Sequence, residues 1–194
     1  MKSSLVNMVL SLGIITIIAA ALLAGVYAMT LEPIAQADAQ KQKDAISAVL
    51  PGMTITNDPS ADKADIALPG ETEDVIVFPA TDNGQLVGVA VQSYSNNGFS
   101  GHISVMYGFD TEGNITGYSV MQHAETPGLG SKMQEWFSDP AHTIVGLNAN
   151  TANLTVSKDG GDVDAITAAT ISSRAFLDAL RRAKQAYDQY ATQQ

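Results

Sequence analysis

From Leu5 to Met29 the chain carries no charge, and only Asn7, Ser11, Thr16 and Tyr27 interrupt an apolar run of 25 residues. As an α-helix that run reaches roughly 37 Å, against about 30 Å of bilayer hydrocarbon. A domain of this size rarely covers so many apolar residues on all sides, so a buried core helix is the weaker expectation. A signal peptide cut after Val26-Tyr27-Ala28 is the other alternative, and the run exceeds the usual apolar stretch of roughly 7–15 residues. A retained membrane anchor is therefore expected. Lys2 precedes the run, and Glu32 and Asp38 follow it ahead of Lys41 and Lys43. The positive-inside rule then leaves the N-terminus in the cytoplasm. The expectation is a single-pass protein of the cytoplasmic (inner) membrane, with its body on the extracytoplasmic, periplasmic side.

Behind the anchor remain enough residues for one domain with a sizeable core. Ten Lys and Arg stand against twenty Asp and Glu, a formal net charge of −10, with no basic cluster. Nucleic acid is excluded as a partner, because phosphate binding needs a positive footprint. The acidity reads as a well-solvated surface. The chain has no cysteine, which excludes disulfides, a thiolate nucleophile, thiolate-bound zinc and a cysteine-held iron–sulfur cluster. His102, His123 and His142 are far apart, and no metal site is expected. Electron chemistry in such a chain needs an organic cofactor.

Glu32 to Leu50 has helical spacing and ends at Pro51-Gly52, so a connecting helix is expected over 31–52. Thr54 to Glu73 reads as a loop with short strands at most. Val75 to Phe78 leads through Asp82-Asn83-Gly84, a hairpin signal, into Leu86 to Tyr94, where Val87, Val89 and Val91 alternate as one buried face. His102 to Phe109 and Ile115 to Gln122 continue the meander, and Gly88, Gly108 and Gly117 either bend it or admit something close. Asn96 to Gly101 reads as a flexible polar loop able to border a pocket. Lys132 to Phe137 is expected as a short helix, Thr143 to Leu147 and Leu154 to Ser157 as short strands, and Ile171 to Tyr190 as a terminal helix. Arg174, Arg181, Arg182 and Lys184 read as its solvated face. The expected fold class is α+β: an N-terminal transmembrane helix (1–30), the connecting helix (31–52) and one domain (53–194) of mostly antiparallel sheet with flanking helices.

Two segments carry chemistry. Asp164-Ala165-Ile166-Thr167-Ala168-Ala169-Thr170-Ile171-Ser172-Ser173 places small residues and hydroxyls at the start of the terminal helix. Helix starts welcome anions through unpaired N–H groups and the helix dipole. Helix capping by Thr167 or Thr170, worth about 1 kcal/mol, explains the same residues. The second segment is His123-Ala124-Glu125-Thr126-Pro127-Gly128-Leu129-Gly130, a tight turn whose backbone can approach a flat ligand. A surface loop with a His–Glu pair is its plainer reading. Trp136 and Phe137 read as core. No residue stands out as a catalytic nucleophile or base, and no phosphate-loop or dinucleotide fingerprint occurs.

Taken in order, the anchor, the 123–130 segment and the 164–170 segment resemble the G subunit of the Rnf electron-transport complex, a relative of the C subunit of sodium-pumping NADH:quinone reductase. The resemblance covers nearly the whole chain. It implies FMN held covalently by a phosphodiester bond to Thr170, attached by a separate magnesium-dependent flavin transferase. The surrounding site would comprise Thr167, Ala168 and Ala169 together with His123, Glu125, Thr126, Gly128, Leu129 and Gly130. The family usually has glycine where this chain has Ala168, and its upstream Asp corresponds to Asp164. The implied role is electron relay between other membrane subunits of a Rnf-type ion-translocating complex, with no substrate of its own. Two rivals are a stand-alone exported FMN-binding redox protein and a non-redox exported ligand-binding module.

Overall fold

A computed structural model of the chain describes residues 4–192. The chain falls into two compact units, Met1–Gln42 and Lys43–Gln194. Helix α1 runs from Leu5 to Val49 without a break, so the anchor and the connecting helix form one continuous element with Pro33 inside it. Proline lacks the N–H that would bond one turn back, and the helix absorbs that single loss. Its apolar stretch is long enough to cross a membrane, and none of that stretch is buried within the protein.

The second unit is built on a five-stranded sheet in the order β1 (Ala64–Ile66), β2 (Val75–Asp82), β3 (Gln85–Gly98), β4 (Gly101–Asp110) and β5 (Ile115–His123). Every neighbouring pair is antiparallel. Between β2 and β3, Asn83 and Gly84 both take positive φ, 49° and 82°, the two-residue turn whose twist matches its flanking strands. Between β4 and β5, the Asp110 carboxyl accepts from the Glu112 and Asn114 amides at 2.9 and 2.8 Å.

Both faces of the sheet are covered, which corrects the expectation of one buried face on β3. Val77, Val89, Val91, Val105 and Tyr107 point into the larger core. There they meet Phe176, Leu177, Leu180 and Ala183 of helix α3 (Thr170–Ala191). Phe78, Ala80, Ala90 and Met106 point the other way, onto Ala45, Ile46 and Val49 in the last turns of α1. The expected strands over 143–147 and 154–157 are absent. Ile144, Leu154 and Val156 are buried as irregular chain, with only isolated bridges Asn114–Asn148 and Val156–Val163. A 3₁₀ turn, Gly130–Lys132, runs into the short helix α2 (Met133–Trp136), and a second 3₁₀ turn covers Ser157–Asp159.

The glycines of the sheet admit a close neighbour. A Cβ on Gly108 would land on the Val49 carbonyl, and one on Gly117 would lie 3.0 Å from Val49 Cα. Thr116 Oγ1 donates to that same carbonyl at 2.5 Å, which satisfies an acceptor at the helix end. Gly108→Ala is therefore expected to destabilise the body by about 2 kcal/mol, since the obstacle is backbone and cannot rotate away. Urea unfolding of the full chain in detergent checks it; an unchanged midpoint would show that the contact gives way freely.

Candidate functional site

The β3–β4 hairpin, the 123–132 segment and the first turn of α3 meet around a cavity of about 320 Å³. Glu125, Thr126, Leu129, Gly130, Ala168, Ala169 and Thr170 of the sequence-predicted site line it, joined by Phe99, Ile171 and Ser172. His123, Gly128 and Thr167 are set back from its walls. His123 accepts from the Glu125 amide at 3.2 Å through Nδ1 and faces Gln134 at 3.0 Å through Nε2. The side chains of His123 and Glu125 thus do not pair.

Glu125 is only 5 % exposed, although it sits on an irregular segment. Its carboxyl accepts from Ser172 Oγ at 2.6 Å and from the Ser100 amide at 3.0 Å. One buried group therefore ties the hairpin tip to the start of α3. Gly98 and Gly130 leave room for it: a Cβ on Gly98 would lie 2.7 Å from Oε1, and one on Gly130 would strike Oε2. On the opposite flank of the hairpin, Asp178 of α3 accepts from Ser95 Oγ at 2.7 Å and Asn97 Nδ2 at 3.1 Å, and pairs with Arg182. Burial pushes the Asp178 carboxyl upward, but the Ser95 hydroxyl and the Arg182 guanidinium outweigh it and hold it below its ordinary value. Arg182 also reaches Glu71 and is largely buried, so it is no solvated-face residue. The 96–101 segment, expected as a flexible loop, is two strand ends closed by Phe99 and Ser100.

Thr170 is the first residue of α3, and Ala169 at the cap position supplies no side-chain bond. The helix start is held instead by Ser173, whose hydroxyl donates to the Ala169 carbonyl at 3.0 Å and accepts from the Ile166 amide at 2.9 Å. Thr170 is thus left free of capping duty. Its hydroxyl accepts from Lys158 Nζ at 3.3 Å. Among the described residues Lys158 joins no ion pair. Its 3₁₀ turn is pinned on both sides. Ser157 donates to Asp164 at 3.1 Å, and Arg174 grips Asp159 with two bonds of 2.8 Å. The Arg174 guanidinium holds the Asp159 carboxyl below the usual carboxylate range, and its own pKa rises in return. Sequence reasoning missed Lys158, because it lies twelve positions before Thr170 across largely irregular chain. Asp164 serves this support rather than the hydroxyl: it lies 3.4 Å from His142 Nδ1, and its carbonyl accepts from Trp136 Nε1 at 3.1 Å.

Ala168 takes φ +62°, in the left-handed region that favours glycine. An L residue loses roughly 1–2 kcal/mol there, and a glycine loses back about 0.4–1 kcal/mol of unfolded-state entropy. Ala168→Gly is expected to stabilise the body by about 0.5 kcal/mol on balance. Paired denaturant titrations resolve the sign, and a destabilised variant would contradict the strain.

Chemically, the site offers a hydroxyl beside an ammonium that joins no ion pair among the described residues, at a helix start next to a largely apolar cavity. A ligand with a phosphate at one end and a flat apolar body at the other suits it.

The FMN-binding domain family matches residues 98–185, from the end of β3 through most of α3. The chain is 34% identical over 190 residues to the G subunit of the ion-translocating oxidoreductase complex of Aliivibrio fischeri, an overlap covering 94% of this chain and 87% of that one. With the protein of the same name from Stutzerimonas stutzeri the identity is 36% over 178 residues, 90% of this chain and 77% of the relative. With that of Shewanella baltica it is 29% over 190 residues, covering 94% and 89%.

Proposed function

The chain belongs to the family of G subunits of ion-translocating oxidoreductase complexes, and we propose from that premise an electron relay whose FMN is fixed covalently to Thr170. It is a membrane-anchored flavoprotein of an electron-transport complex, working beside the other subunits. We read residues 1–30 as the span, 31–52 as the connection and 53–194 as the FMN-binding domain, with the last turns of α1 packed on the sheet. The body stands on the extracytoplasmic, periplasmic side, and a flavin transferase attaches the cofactor.

The observation that carries the covalent assignment is the Thr170 hydroxyl: it caps nothing, belongs to a residue that lines the cavity and sits 3.3 Å from an ammonium that joins no ion pair among the described residues. The residues present fit FMN. Lys158 and the amides of the first turn of α3 would balance a phosphodiester anion at Thr170. Phe99, Leu129 and Ile171 give the ring an apolar surface, while Glu125 holds the segments that carry them. Bound there, FMN supplies one-electron chemistry that the side chains of this protein lack. A short covalent tether keeps it at an effective concentration on the order of millimolar, which weak contacts alone would not sustain outside the cytoplasm.

Trypsin cuts after Lys158 and Arg174, so Thr170 falls in the peptide Asp159–Arg174. Isolated from its native host, that peptide is expected to weigh more by FMN less one water. An unmodified peptide overturns the assignment.

A further inference from the structure

Asp164 is a surface residue held at three atoms. Its side chain is 58 % exposed. Even so, one carboxyl oxygen accepts from Ser157 Oγ at 3.1 Å, the other lies 3.4 Å from His142 Nδ1, and its backbone carbonyl accepts from Trp136 Nε1 at 3.1 Å. Trp136 and His142 are themselves stacked, with ring centroids 4.1 Å apart and planes 3° from parallel. Trp136 ends α2 and packs against the larger core. His142 belongs to a turn closed by its own amide on the Asp139 carbonyl at 2.9 Å. Exposed polar contacts of this kind contribute little to stability singly, so three on one surface residue point to a geometry being held.

That geometry ends at Thr170. An imidazole facing an ionised carboxylate through Nδ1 carries a proton there, so His142 donates to Asp164. Ser157, bound by the opposite oxygen of Asp164, opens the 3₁₀ turn whose next residue is Lys158. Lys158 Nζ in turn donates to Thr170 Oγ1 at 3.3 Å. A lysine side chain is long and rotamer-rich, and its ammonium keeps to one atom only if the backbone beneath it is fixed. Asp159, on one side of Lys158, is gripped by Arg174. The other side depends on Asp164, and hence on the two stacked rings.

We propose that Trp136 and His142 are positioning residues for covalent attachment at Thr170: by seating Asp164 they hold Ser157, and through it they set the Lys158 ammonium against the acceptor hydroxyl. The inference rests on the covalent-FMN assignment and adds how the acceptor is prepared. In that transfer the Thr170 oxygen bonds to the phosphorus of riboflavin phosphate, presented as a phosphoanhydride with a nucleoside monophosphate. The phosphoanhydride bond breaks, the nucleoside monophosphate leaves, and the hydroxyl proton passes to a base of the transferase. Nothing is oxidised or reduced. Lys158, already donating to Thr170 Oγ1, is not that base; its charge stabilises the anionic phosphoryl group as the new bond forms.

Full-length chain made without the transferase and held in mild detergent tests this. It is given the host's flavin transferase, magnesium and flavin adenine dinucleotide, and the mass of the whole chain is followed in time. Lys158→Gln is expected to slow the mass gain at least about tenfold. His142→Ala is expected to slow it about fivefold, and His142→Gln, which keeps an N–H toward Asp164, to recover most of the native rate. The effects are expected to be non-additive, so that His142→Ala adds nothing further in a Lys158→Gln chain. Trp136→Phe keeps a stacking ring and loses only the N–H; a similar slowing with native circular dichroism separates positioning from misfolding. Trp136 is the only tryptophan, so its emission before loading reports the stack. That emission is expected to change in His142→Ala and to stay native in Lys158→Gln. A native rate in His142→Ala, or full additivity with Lys158→Gln, would overturn the positioning role while leaving the covalent assignment standing. An unmodified Asp159–Arg174 peptide from the native host would overturn both.

Discussion

Replacing Thr170 with valine is expected to abolish covalent flavin completely while changing stability by less than about 1 kcal/mol. Valine matches threonine in shape and removes only the oxygen. The structural cost is small because Thr170 holds nothing together: its hydroxyl makes no bond to the backbone, and the helix start rests on Ser173, Ala169 and Ile166. The substitution removes a single hydrogen bond, the one from Lys158 at 3.3 Å, on the exposed side of the helix start. Denaturing gel fluorescence and the mass of the Asp159–Arg174 peptide read the outcome. Thr170→Ser, which keeps an oxygen at the position, is expected to retain part of the modification. Flavin persisting on the Thr170→Val protein would move the acceptor to another hydroxyl of the segment, with Thr167 the first to examine. That residue is exposed and stands outside the cavity lining, so the geometry favours Thr170.

Much of this architecture is written in local patterns. Asn83-Gly84 dictates its turn through positive φ at both residues, and the face of α3 that carries Phe176, Leu180 and Ala183 follows from helical spacing. The failures share one cause, which is that alternation reports burial without naming the partner. Ile144, Leu154 and Val156 are buried as any strand residues would be, but the chain around them pairs with nothing beyond single bridges. On β3 the small residue Ala90 gives no sign of being a packing residue, because its partners Ala45 and Ile46 lie more than forty positions away. The site shows the same limit. Thr170 and the 123–130 segment are legible as motifs, whereas Lys158 reaches Thr170, and Phe99 the cavity, only through tertiary folding. Gly98 and Gly130 are the available signal for the buried Glu125, since both give way to its carboxyl. Ala168 departs from the glycine of the resembling family, and its φ of +62° supplies the physical reason glycine suits that position.

Glu125→Ala is expected to lower stability by about 3 kcal/mol, near a 10 °C fall in melting temperature, and to cut flavin loading sharply. Two donors lose their acceptor at once: the Ser100 amide and the Ser172 hydroxyl, the latter only 2 % exposed at its residue. Each stranded group costs roughly 1–3 kcal/mol, and the truncation also leaves a void between Gly98 and Gly130 that their missing side chains cannot fill. Glu125→Gln separates geometry from chemistry. Its amide oxygen keeps one donor, and the Ser172 hydroxyl can rotate to accept from the amide nitrogen, so a loss of about 1 kcal/mol with most loading retained is expected. The functional loss in Glu125→Ala then follows from position. Without the carboxyl, the tip bearing Phe99 and the first turn bearing Thr170 are no longer fastened to the same point, and the acceptor hydroxyl loses its fixed relation to the apolar wall. Thermal melting and peptide mass measured on one preparation decide the matter. A Glu125→Ala protein that melts like the native chain and loads fully would show that the hairpin and α3 hold their places by packing alone, with the buried carboxyl a passenger.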